Sequence, residues 1–517
     1  MARQKHESPR AVPVAASHAA ALFGAQQATG NETAGAADTA TQLPLVLDLD
    51  GTLIRTDVLA ETFIAYLRRN PLRLFQVIVW LFMGRAVLKQ KLAHAAEIDV
   101  AGLPVTEDLV RFAAREAAHG REVHLATAAD MSVAERVRER FPFISRVFAS
   151  NGDTNLKSRE KARVLTEAFP DGFAYAGNSR ADLAVWQAAG ETIIVNPAPG
   201  LVKAARAIRT PSQIIARPRR GLRFAAKVLR LHQWAKNGLI FAPLLLGGVL
   251  FEAAAWGQAA AGFLALSVLA SATYLLNDLF DLADDRRHWS KRTRPLASGA
   301  LPIAHALVLI PAGMAVAYAI AALAIGAVGV AFLTAYLAVT LAYSFSLKKI
   351  ELLDAAVLAS LFTLRLGFGV ALAGVVLSPW LLVFSMFLFL SLSFAKRHVE
   401  VTRMEARGRS TAAGRGYKAG DGPMVAMIGA ASGLAAVQVL VMYVMNEAYR
   451  AGAYVAPVML WAVPPILFLW IARIWLLAQR GELDDDPVAF AVKDPPSLLL
   501  GFMLGFVFLV ALFGSPV

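Results

Sequence analysis

The chain of 517 residues contains no cysteine, so disulfide bonds and thiolate chemistry are excluded. It has no apolar run of membrane-spanning length before about residue 238, and no apolar core of the kind found in signal peptides. Residues 1–42 are rich in Ala, Thr and Gln without apolar periodicity, which predicts a disordered tail. The long apolar runs are thus confined to the second half of the chain.

That second half has the composition of a membrane domain. A mean hydropathy of +0.52 is higher than soluble domains usually reach, so we expect much of the chain to lie in lipid. Repeated Ala, Gly and Ser favour close packing of membrane helices. The sequence predicts an all-α, polytopic membrane domain over residues 238–517, with about nine spans at 238–256, 259–276, 303–322, 325–345, 353–376, 379–395, 423–446, 456–478 and 497–514.

The charge pattern predicts orientation rather than binding of nucleic acid. The net charge is +13, but the positive residues collect in loops between spans, with five Lys/Arg in 277–302 and seven in 396–418. The alternate loops near 257, 324 and 377 hold none. By the positive-inside rule, nine spans place the N-terminus in the cytoplasm and the C-terminus outside. We expect a multi-pass protein of the bacterial plasma membrane with no nucleic-acid partner.

Residues 43–210 follow a different pattern, in which short apolar runs alternate with helical segments. This alternation predicts an α/β domain with a doubly wound parallel sheet, whose ligands bind at the carboxyl ends of the strands. About seventy residues of helical character separate the first two runs, and we expect a helical cap at about 53–120. The predicted strands are 45–47, 123–126, 147–149, 173–176 and 192–195.

Two further segments are candidates to contact the membrane surface. Residues 72–83 are unusually apolar for a surface helix and too short to span, so they belong either to a buried core or to a surface docked on the bilayer. Residues 211–237 link the two halves, broken by Pro211 and Pro218 and followed by several basic residues up to Arg230. We expect this basic linker to meet anionic lipid head groups.

Two carboxylates follow the first predicted strand directly. Asp48 and Asp50, in the motif DLDGT, are two residues apart, so on an extended strand end both can reach one site. Asp48 is then a candidate nucleophile toward a phosphoryl group. Asp50 is a candidate acid for the leaving alcohol and base for water.

Four segments in order resemble the haloacid dehalogenase (HAD) phosphatase superfamily: DLDGT at 48–52, Thr127 after its strand, Lys161 opening a helix, and GNSRAD at 177–182. The resemblance implies phosphatase chemistry, with Thr127 and Lys161 contacting the phosphoryl group. The family usually has Asp where this chain has Asn178, a weaker Mg²⁺ ligand, so an inactive regulatory or anchoring module is the alternative. The implied Mg²⁺ ligands are Asp48, Asp50, Asn178 and Asp182.

A second group of carboxylates ends the second predicted span. Asp278, Asp281 and Asp285 are spaced by three and four residues, so on one continuous helix they would share a face. Like charges so placed repel one another unless a divalent cation binds, and Mg²⁺ bridges such groups to a diphosphate. The basic residues Arg292 and Arg294 follow and are candidates to hold phosphate.

Residues 220–517 resemble the UbiA superfamily of intramembrane transferases, and within it decaprenyl-phosphate phosphoribosyltransferases. The matching pieces are LHQWAKN at 231–237, the stretch from Asn277 to Arg294-Pro-Leu, YSFSLK at 343–348, and Lys396-Arg397 with Glu400. Ordinary members tend to hold paired aspartates in the second motif, whereas this chain has Lys348, Lys349, Glu351 and one aspartate. Substrate-binding residues implied by the resemblance are Lys236, Asn277, Arg292, Arg294, Tyr343, Lys348, Asp354 and Arg365.

The extra positive charge favours phosphoribosyl pyrophosphate as the substrate. The resemblance therefore implies Mg²⁺-dependent transfer of 5-phosphoribose to a polyprenyl phosphate, with Asp278 and Asp281 in the catalytic site. The HAD-like domain would remove the 5-phosphate and supply a lipid-linked pentose for cell-envelope glycans. Transfer of a prenyl group from prenyl diphosphate to an aromatic acceptor is the alternative.

Overall fold

The computed structural model describes residues 42–151, 155–217, 220–406, 408, 415–448, 454–483, 487–491 and 493–514. The predicted disordered tail, apart from residue 42, lies outside these residues, as does Pro218 of the linker. Contacts divide the chain into two units. The first is Met1–Arg219 with Leu279–Ala304, and the second is Arg220–Asp278 with His305–Val517. The acidic segment, Leu279–Ala304, thus groups with the N-terminal part of the chain.

The first unit is built on a parallel sheet, as predicted. Its strand order is β3-β2-β1-β4-β5-β6, so the chain winds outward from a central β1 in both directions. All five predicted strands are present, four of them within one residue of their observed bounds, while β2 continues four residues past its predicted end and β6 lies in the predicted linker. The strands are β1 Leu45–Leu47, β2 Val123–Asp130, β3 Arg146–Ser150, β4 Ala174–Gly177, β5 Glu191–Val195 and β6 Gln213–Ile215.

Helices cover both faces of this sheet. Along β1, Leu45 and Leu47 belong to one buried cluster and Val46 to another, because alternate side chains of a strand point to opposite faces. The helices are α1 Val58–Arg69, α2 Leu74–Phe82, α3 Arg85–Ala95, α4 Glu107–Ala118, α5 Met131–Arg140, α6 Arg159–Ala168, α7 Leu183–Ala188 and α8 Leu201–Arg206. The region between β1 and β2 is helical, as expected for a cap.

Helix α2 exposes most of its apolar side chains. Only Val77 and Trp80 are buried, while Phe75 is 72% and Phe82 is 88% exposed. The buried-core alternative for residues 72–83 is therefore wrong for most of the segment. Docking of this face on a bilayer stays a prediction.

The second unit is a bundle of apolar helices. Among the described residues, eight helices are long and apolar enough to cross a membrane, which confirms a multi-pass membrane domain. The eight membrane-length helices are α11 Ala253–Phe280, α13 Ile303–Ile320, α14 Ala327–Phe345, α15 Leu353–Ala373, α16 Pro379–Glu405, α17 Gly422–Tyr443, α18 Val463–Gln479 and α20 Pro495–Phe513. The shorter helices are α9 Leu222–Val228, α10 Ala242–Leu246, α12 Leu282–Arg287 and α19 Pro487–Ala491, of which α12 lies in the acidic segment of the first unit.

The first predicted span, 238–256, is wrong as a continuous helix. A 3₁₀ segment, Leu231–Phe241, runs into the short α10, and the chain then turns at Gly248, where φ is +75°. This irregular stretch packs closely on α15, because the Gly369 Cα faces the backbone of Ile240 where a Cβ would lie 2.3 Å from the carbonyl oxygen. Irregular backbone is tolerated in a membrane domain where protein packs against it, and Asn237 and Ile240 of this stretch are buried.

Candidate functional sites

The carboxyl end of β1 brings Asp48 and Lys161 together. The Lys161 ammonium nitrogen lies 2.7 Å from Asp48 Oδ1, and both side chains are nearly inaccessible. Lys161 also donates to the carbonyl oxygen of Ala126 at 3.1 Å, so β2 helps to position it. Thr52 donates its hydroxyl to the other Asp48 oxygen at 3.0 Å. A buried carboxylate is thus held by one cation and one hydroxyl.

Tyr175 connects this pair to Asp182. Lys161 donates to the Tyr175 hydroxyl at 3.0 Å, and that hydroxyl donates to Asp182 Oδ1 at 3.0 Å. The second oxygen of Asp182 accepts from the backbone N–H groups of Asn178 and Ser179 at 3.0 and 2.8 Å. Asp182 therefore fixes the loop after β4 as well as facing the Asp48 site.

The remaining predicted residues surround the same strand ends. Asp50 accepts from the Val58 N–H at 2.8 Å, at the start of α1. The Thr127 side chain is fully buried, and its oxygen accepts from Ala129 N–H at 3.0 Å. The Asn178 amide covers Gly51, since a Cβ there would lie 2.1 Å from its nitrogen. With φ of +76°, Gly51 is suited to this close approach.

Burial raises the pKa of both carboxyls of the site, but among the described residues Asp48 has a cation beside it and Asp50 does not. Burial raises the pKa of Asp48, and the Lys161 ammonium group opposes that shift. Burial, followed by the nearby Asp57 carboxylate, raises the pKa of Asp50 to about 8. Burial also raises the pKa of the Tyr175 hydroxyl, which keeps it neutral and able to donate.

In the second unit, Asp278 is paired with Arg230. The guanidinium group donates to both carboxylate oxygens, and it also lies over the ring of Tyr274 at 5.2 Å from the centroid. Asp278 is only 4% exposed. Arg230 of the predicted lipid-binding stretch is thus paired inside the protein, while lipid contact of the basic linker stays a prediction.

The acidic segment does not continue the helix that precedes it. Helix α11 ends at Phe280, and Asp281 precedes the first residue of α12 with φ and ψ of −88° and 7°. The prediction of one continuous helical face for the three carboxylates is wrong at this point. Asp285 is buried and accepts from Arg294 at 2.6 Å, whereas Arg292 is exposed.

A ready three-carboxylate metal centre is missing from the part of the chain that the structure describes, where no three His, Cys, Asp or Glu residues group closely enough to hold an ion. Asp278 forms an ion pair with Arg230, and Asp285 forms one with Arg294. In the Asp48 site, Asp48 forms an ion pair with Lys161. Binding of Mg²⁺ at either predicted site would therefore require these ion pairs to open, and no chemical step is derived through the metal.

Arg365 is the centre of a buried polar group on α15. It donates to Asn237 Oδ1 at 2.7 Å and to the Tyr336 hydroxyl at 3.2 Å. Asn237 in turn donates to Ser267 at 2.9 Å. These bonds join the irregular stretch, α11, α14 and α15, so Arg365 holds the bundle together at this level.

Asp354 is the centre of a second buried group. It is fully buried, accepts from the Tyr417 hydroxyl at 2.7 Å, and lies 2.6 Å from Arg397 and 3.2 Å from Arg415. Arg397 Nε lies within ion-pair distance of Asp354, but its N–H does not point along the direction needed for a hydrogen bond. Burial opposes the charged form of Arg415, but its acidic neighbours raise the pKa of that guanidinium group overall. Asp354 thus positions two guanidinium groups.

The other predicted substrate residues lie around this group and the irregular stretch. Tyr343 accepts from Arg397 at 3.4 Å, and Lys348 lies in the turn Leu347–Lys349. Lys236 lies over the ring of Phe362 at 6.0 Å. Asn277 lies in the last turn of α11 and is partly buried.

Several contact residues have no sequence signal. Arg415 and Tyr417 both contact Asp354 across more than sixty positions, and Glu61 contacts Arg286 across 225 positions. No local spacing identifies such partners. Arg230 stood out in the sequence as part of a basic stretch, but that pattern indicated contact with lipid head groups and not the ion pair with Asp278.

Comparison with known proteins identifies the membrane half. The model of the UbiA prenyltransferase family matches residues 240–493. The protein y4nM of Sinorhizobium fredii is 38% identical over 485 residues, covering 91% of each chain. The nodulation protein NoeC of Azorhizobium caulinodans is 36% identical over 54% of this chain and 91% of its own.

Other similarities are more partial. The decaprenyl-phosphate phosphoribosyltransferase of Corynebacterium glutamicum is 36% identical over 35% of this chain and 56% of that protein. The solved structure of a UbiA homolog from Archaeoglobus fulgidus, bound to GPP and Mg²⁺, covers 55% of this chain and 98% of its own with a TM-score of 0.43 and 15% identity. Through residues 240–493, the chain belongs to the UbiA prenyltransferase family.

Proposed function

We propose that the chain transfers 5-phosphoribose from phosphoribosyl pyrophosphate to a polyprenyl phosphate. The observation that carries the proposal is the Asp354 group. Asp354 is buried between Arg397 and Arg415, so it organises cations instead of being free for a metal. Glu400 also contacts both guanidinium groups. Lys348 and Lys349 come shortly before Asp354 and add positive charge that suits a donor with three phosphates. The partial similarity to a decaprenyl-phosphate phosphoribosyltransferase supports the same donor.

The proposed reaction is a single displacement. A phosphate oxygen of the lipid attacks the anomeric carbon, the bond from that carbon to the pyrophosphate oxygen breaks, and pyrophosphate leaves with the electron pair. Lys236, Lys348, Arg292 and Arg294 would bind phosphate oxygens. Dependence on Mg²⁺, with Asp278, Asp281 and Asp285 as ligands, stays a prediction. It requires the ion pairs of Asp278 and Asp285 to open.

The α/β unit would perform a second step on the product as a HAD-type phosphatase. Asp48 attacks the phosphorus of the 5-phosphate, and Asp50 protonates the leaving ribose oxygen. Water then hydrolyses the aspartyl phosphate with Asp50 as base, which releases inorganic phosphate. The contacts of Asp48 with Lys161 and Thr52 support this role, because each contact places a donor where phosphoryl oxygens would lie. Tethering both steps raises the effective concentration of the intermediate.

The proposed setting follows from the loop charges. Both sites would face the cytoplasm of a bacterial plasma membrane, and the lipid-linked pentose would serve cell-envelope glycans. One specific finding favours a second candidate function: the family model describes prenyltransferases. In that case a prenyl diphosphate is the donor and an aromatic compound the acceptor.

Mass spectrometry of lipid products tests these proposals. The purified protein is incubated with phosphoribosyl pyrophosphate, polyprenyl phosphate and Mg²⁺, and in parallel with prenyl diphosphate and an aromatic acceptor. Polyprenyl-phosphoryl 5-phosphoribose or its dephosphorylated form in the first reaction supports the proposal. A prenylated aromatic product in the second reaction alone would establish the alternative. Phosphorylated product without any loss of phosphate would leave the α/β unit as a regulatory or anchoring module.

A further inference from the structure

Helix α1 connects the Asp48 site to the acidic segment within the first unit. Its first N–H, at Val58, donates to Asp50 at 2.8 Å. One turn later, Glu61 accepts from Thr56 at 2.5 Å, and the Thr56 carbonyl accepts from the Gly51 N–H at 3.1 Å. Glu61 is therefore fixed to the loop that carries the two carboxylates.

Glu61 binds Arg286 of the acidic segment through both carboxylate oxygens. The two distances are 2.6 and 2.9 Å, and the two side chains are only 6% and 7% exposed. Arg286 also donates to the carbonyl oxygen of Ala297 at 3.2 Å. This bidentate pair thus fixes two separated points of the segment, one on each side of Arg294.

The contacts around this pair are weaker or purely steric. Two other ion pairs of the segment, Arg68 with Asp284 at 2.5 Å and Arg287 with Asp99 at 2.8 Å, are more exposed and screened by solvent. A cavity of about 400 Å³, lined in part by Glu61, Phe280 and Arg286, lies beside the pair. Gly299, with φ of +67°, abuts Arg55, where a Cβ would lie 2.6 Å from the Arg55 Cβ. The buried pair is therefore the main polar attachment of the segment.

We propose that Glu61 and Arg286 are positioning residues for the membrane transferase reaction. They hold the segment that carries Asp281, Asp285 and Arg294, so the α/β unit contributes to phosphoribose transfer irrespective of its own chemistry. This inference rests on the proposed function, because it assigns those three residues to the donor site. Loss of one partner leaves a buried charge unpaired, and the segment should then detach from α1.

Kinetics and labelling of the full-length protein test the inference. The variants are Glu61→Gln, Arg286→Lys and Gly299→Ala, compared with Glu116→Gln, which breaks another ion pair of the same unit. We expect the first three to raise the KM for phosphoribosyl pyrophosphate about tenfold, with a smaller change in kcat. Combining Glu61→Gln with Arg286→Lys should add little, because both changes remove one contact. Glu116→Gln should leave the KM unchanged.

A cysteine at Ala297 provides a readout independent of activity, since the native chain has none and Ala297 is buried. Its alkylation by a maleimide should be slow and should accelerate about tenfold with Glu61→Gln. Should Glu61→Gln fail to fold, Arg286→Lys and Gly299→Ala give the same comparison. Unchanged KM and alkylation in folded variants would overturn the inference. Absence of phosphoribose transfer in the unmodified protein would instead overturn the proposed function, while alkylation would still report on attachment.

Discussion

Arg230 contacts both carboxylate oxygens of Asp278 at the end of the first long membrane helix. The backbone of Arg230 has φ of +51°, a conformation that non-glycine residues rarely adopt. A guanidinium group held this way neutralises the first carboxylate of the acidic motif when no other cation is bound. A metal ion must therefore compete with Arg230 for Asp278, whereas an anionic phosphate would compete with Asp278 for Arg230.

This competition leads to a prediction about Mg²⁺. Arg230→Gln should lower the Mg²⁺ concentration needed for half-maximal transfer, because the ion no longer displaces a cation. Asp278→Asn should reduce transfer by about 100-fold or more while the protein stays folded, since it removes charge without changing shape. Metal titrations of transfer rates test both changes. Arg473→Gln, which breaks an ion pair with Asp494, is the control. Near-normal turnover of Asp278→Asn would rule out the role of this carboxylate.

A second prediction concerns the stability of the Asp354 group. Asp354→Asn should lower the free energy of unfolding by about 3–5 kcal/mol, because Glu400 alone would then neutralise the buried Arg397 and its neighbour Arg415. Tyr417→Phe should cost about 1.5–3 kcal/mol, since it removes one hydrogen bond to a charged group. Thermal unfolding in detergent measures both changes. An Asp354→Asn protein with an unchanged unfolding midpoint would contradict this account.

The sequence predicted the α/β sheet well because its strands carry dense Val, Ile, Leu and Ala runs, each followed by a polar residue at the strand end. Asp48 after β1 is the clearest case. The two-stage helix at Asp281 was missed, since a spacing of three and four residues is equally compatible with a helix that breaks and restarts. The buried pair of Glu61 and Arg286 was also missed, because tertiary packing alone brings these residues together.

A third prediction concerns the exposed face of α2. Phe82 is 88% exposed, and its apolar neighbours give that face the character of an interfacial helix. A polarity-sensitive dye is attached to a cysteine at position 82. Its emission should lie at shorter wavelength in the full-length protein in lipid nanodiscs than in the α/β unit after proteolytic release into detergent-free buffer. A cysteine at the exposed Glu107 serves as the control and should report water in both states. Identical water-like emission at both positions would exclude docking on the bilayer.

A fourth prediction addresses the Asp48 site. Asp48→Asn should leave phosphoribose transfer intact and stop only the loss of the 5-phosphate, because the proposed nucleophile is removed. Asn178→Asp should lower the Mg²⁺ needed for that loss, since a charged ligand would then cover Gly51 beside Asp48. The ratio of phosphorylated to dephosphorylated lipid decides the matter, with Asp108→Asn as a surface control. Equal ratios in all proteins would mean that the α/β unit does not act on this product.

The last prediction concerns how often the chain crosses the membrane. Met1–Arg219 and Leu279–Ala304 belong to the same unit, so we expect both to lie on one side of the bilayer. Helix α11 crosses once, and a return to the same side requires a second crossing within residues 220–252. The irregular stretch at Leu231–Phe241 and α10, packed on α15, is the segment available for it.

Single cysteines test this directly in the cysteine-free chain. Cysteines at Glu107 and Ser298 should both resist an impermeant maleimide in intact cells, and one at Val376, which is 96% exposed, should react. All three should react after the cells are opened. The paired control, a cysteine at Ala451, falls outside the described residues and rests on loop charge alone. Labelling of Ser298 together with protection of Val376 would reverse the orientation. Opposite results at Glu107 and Ser298 would mean that residues 220–252 do not cross.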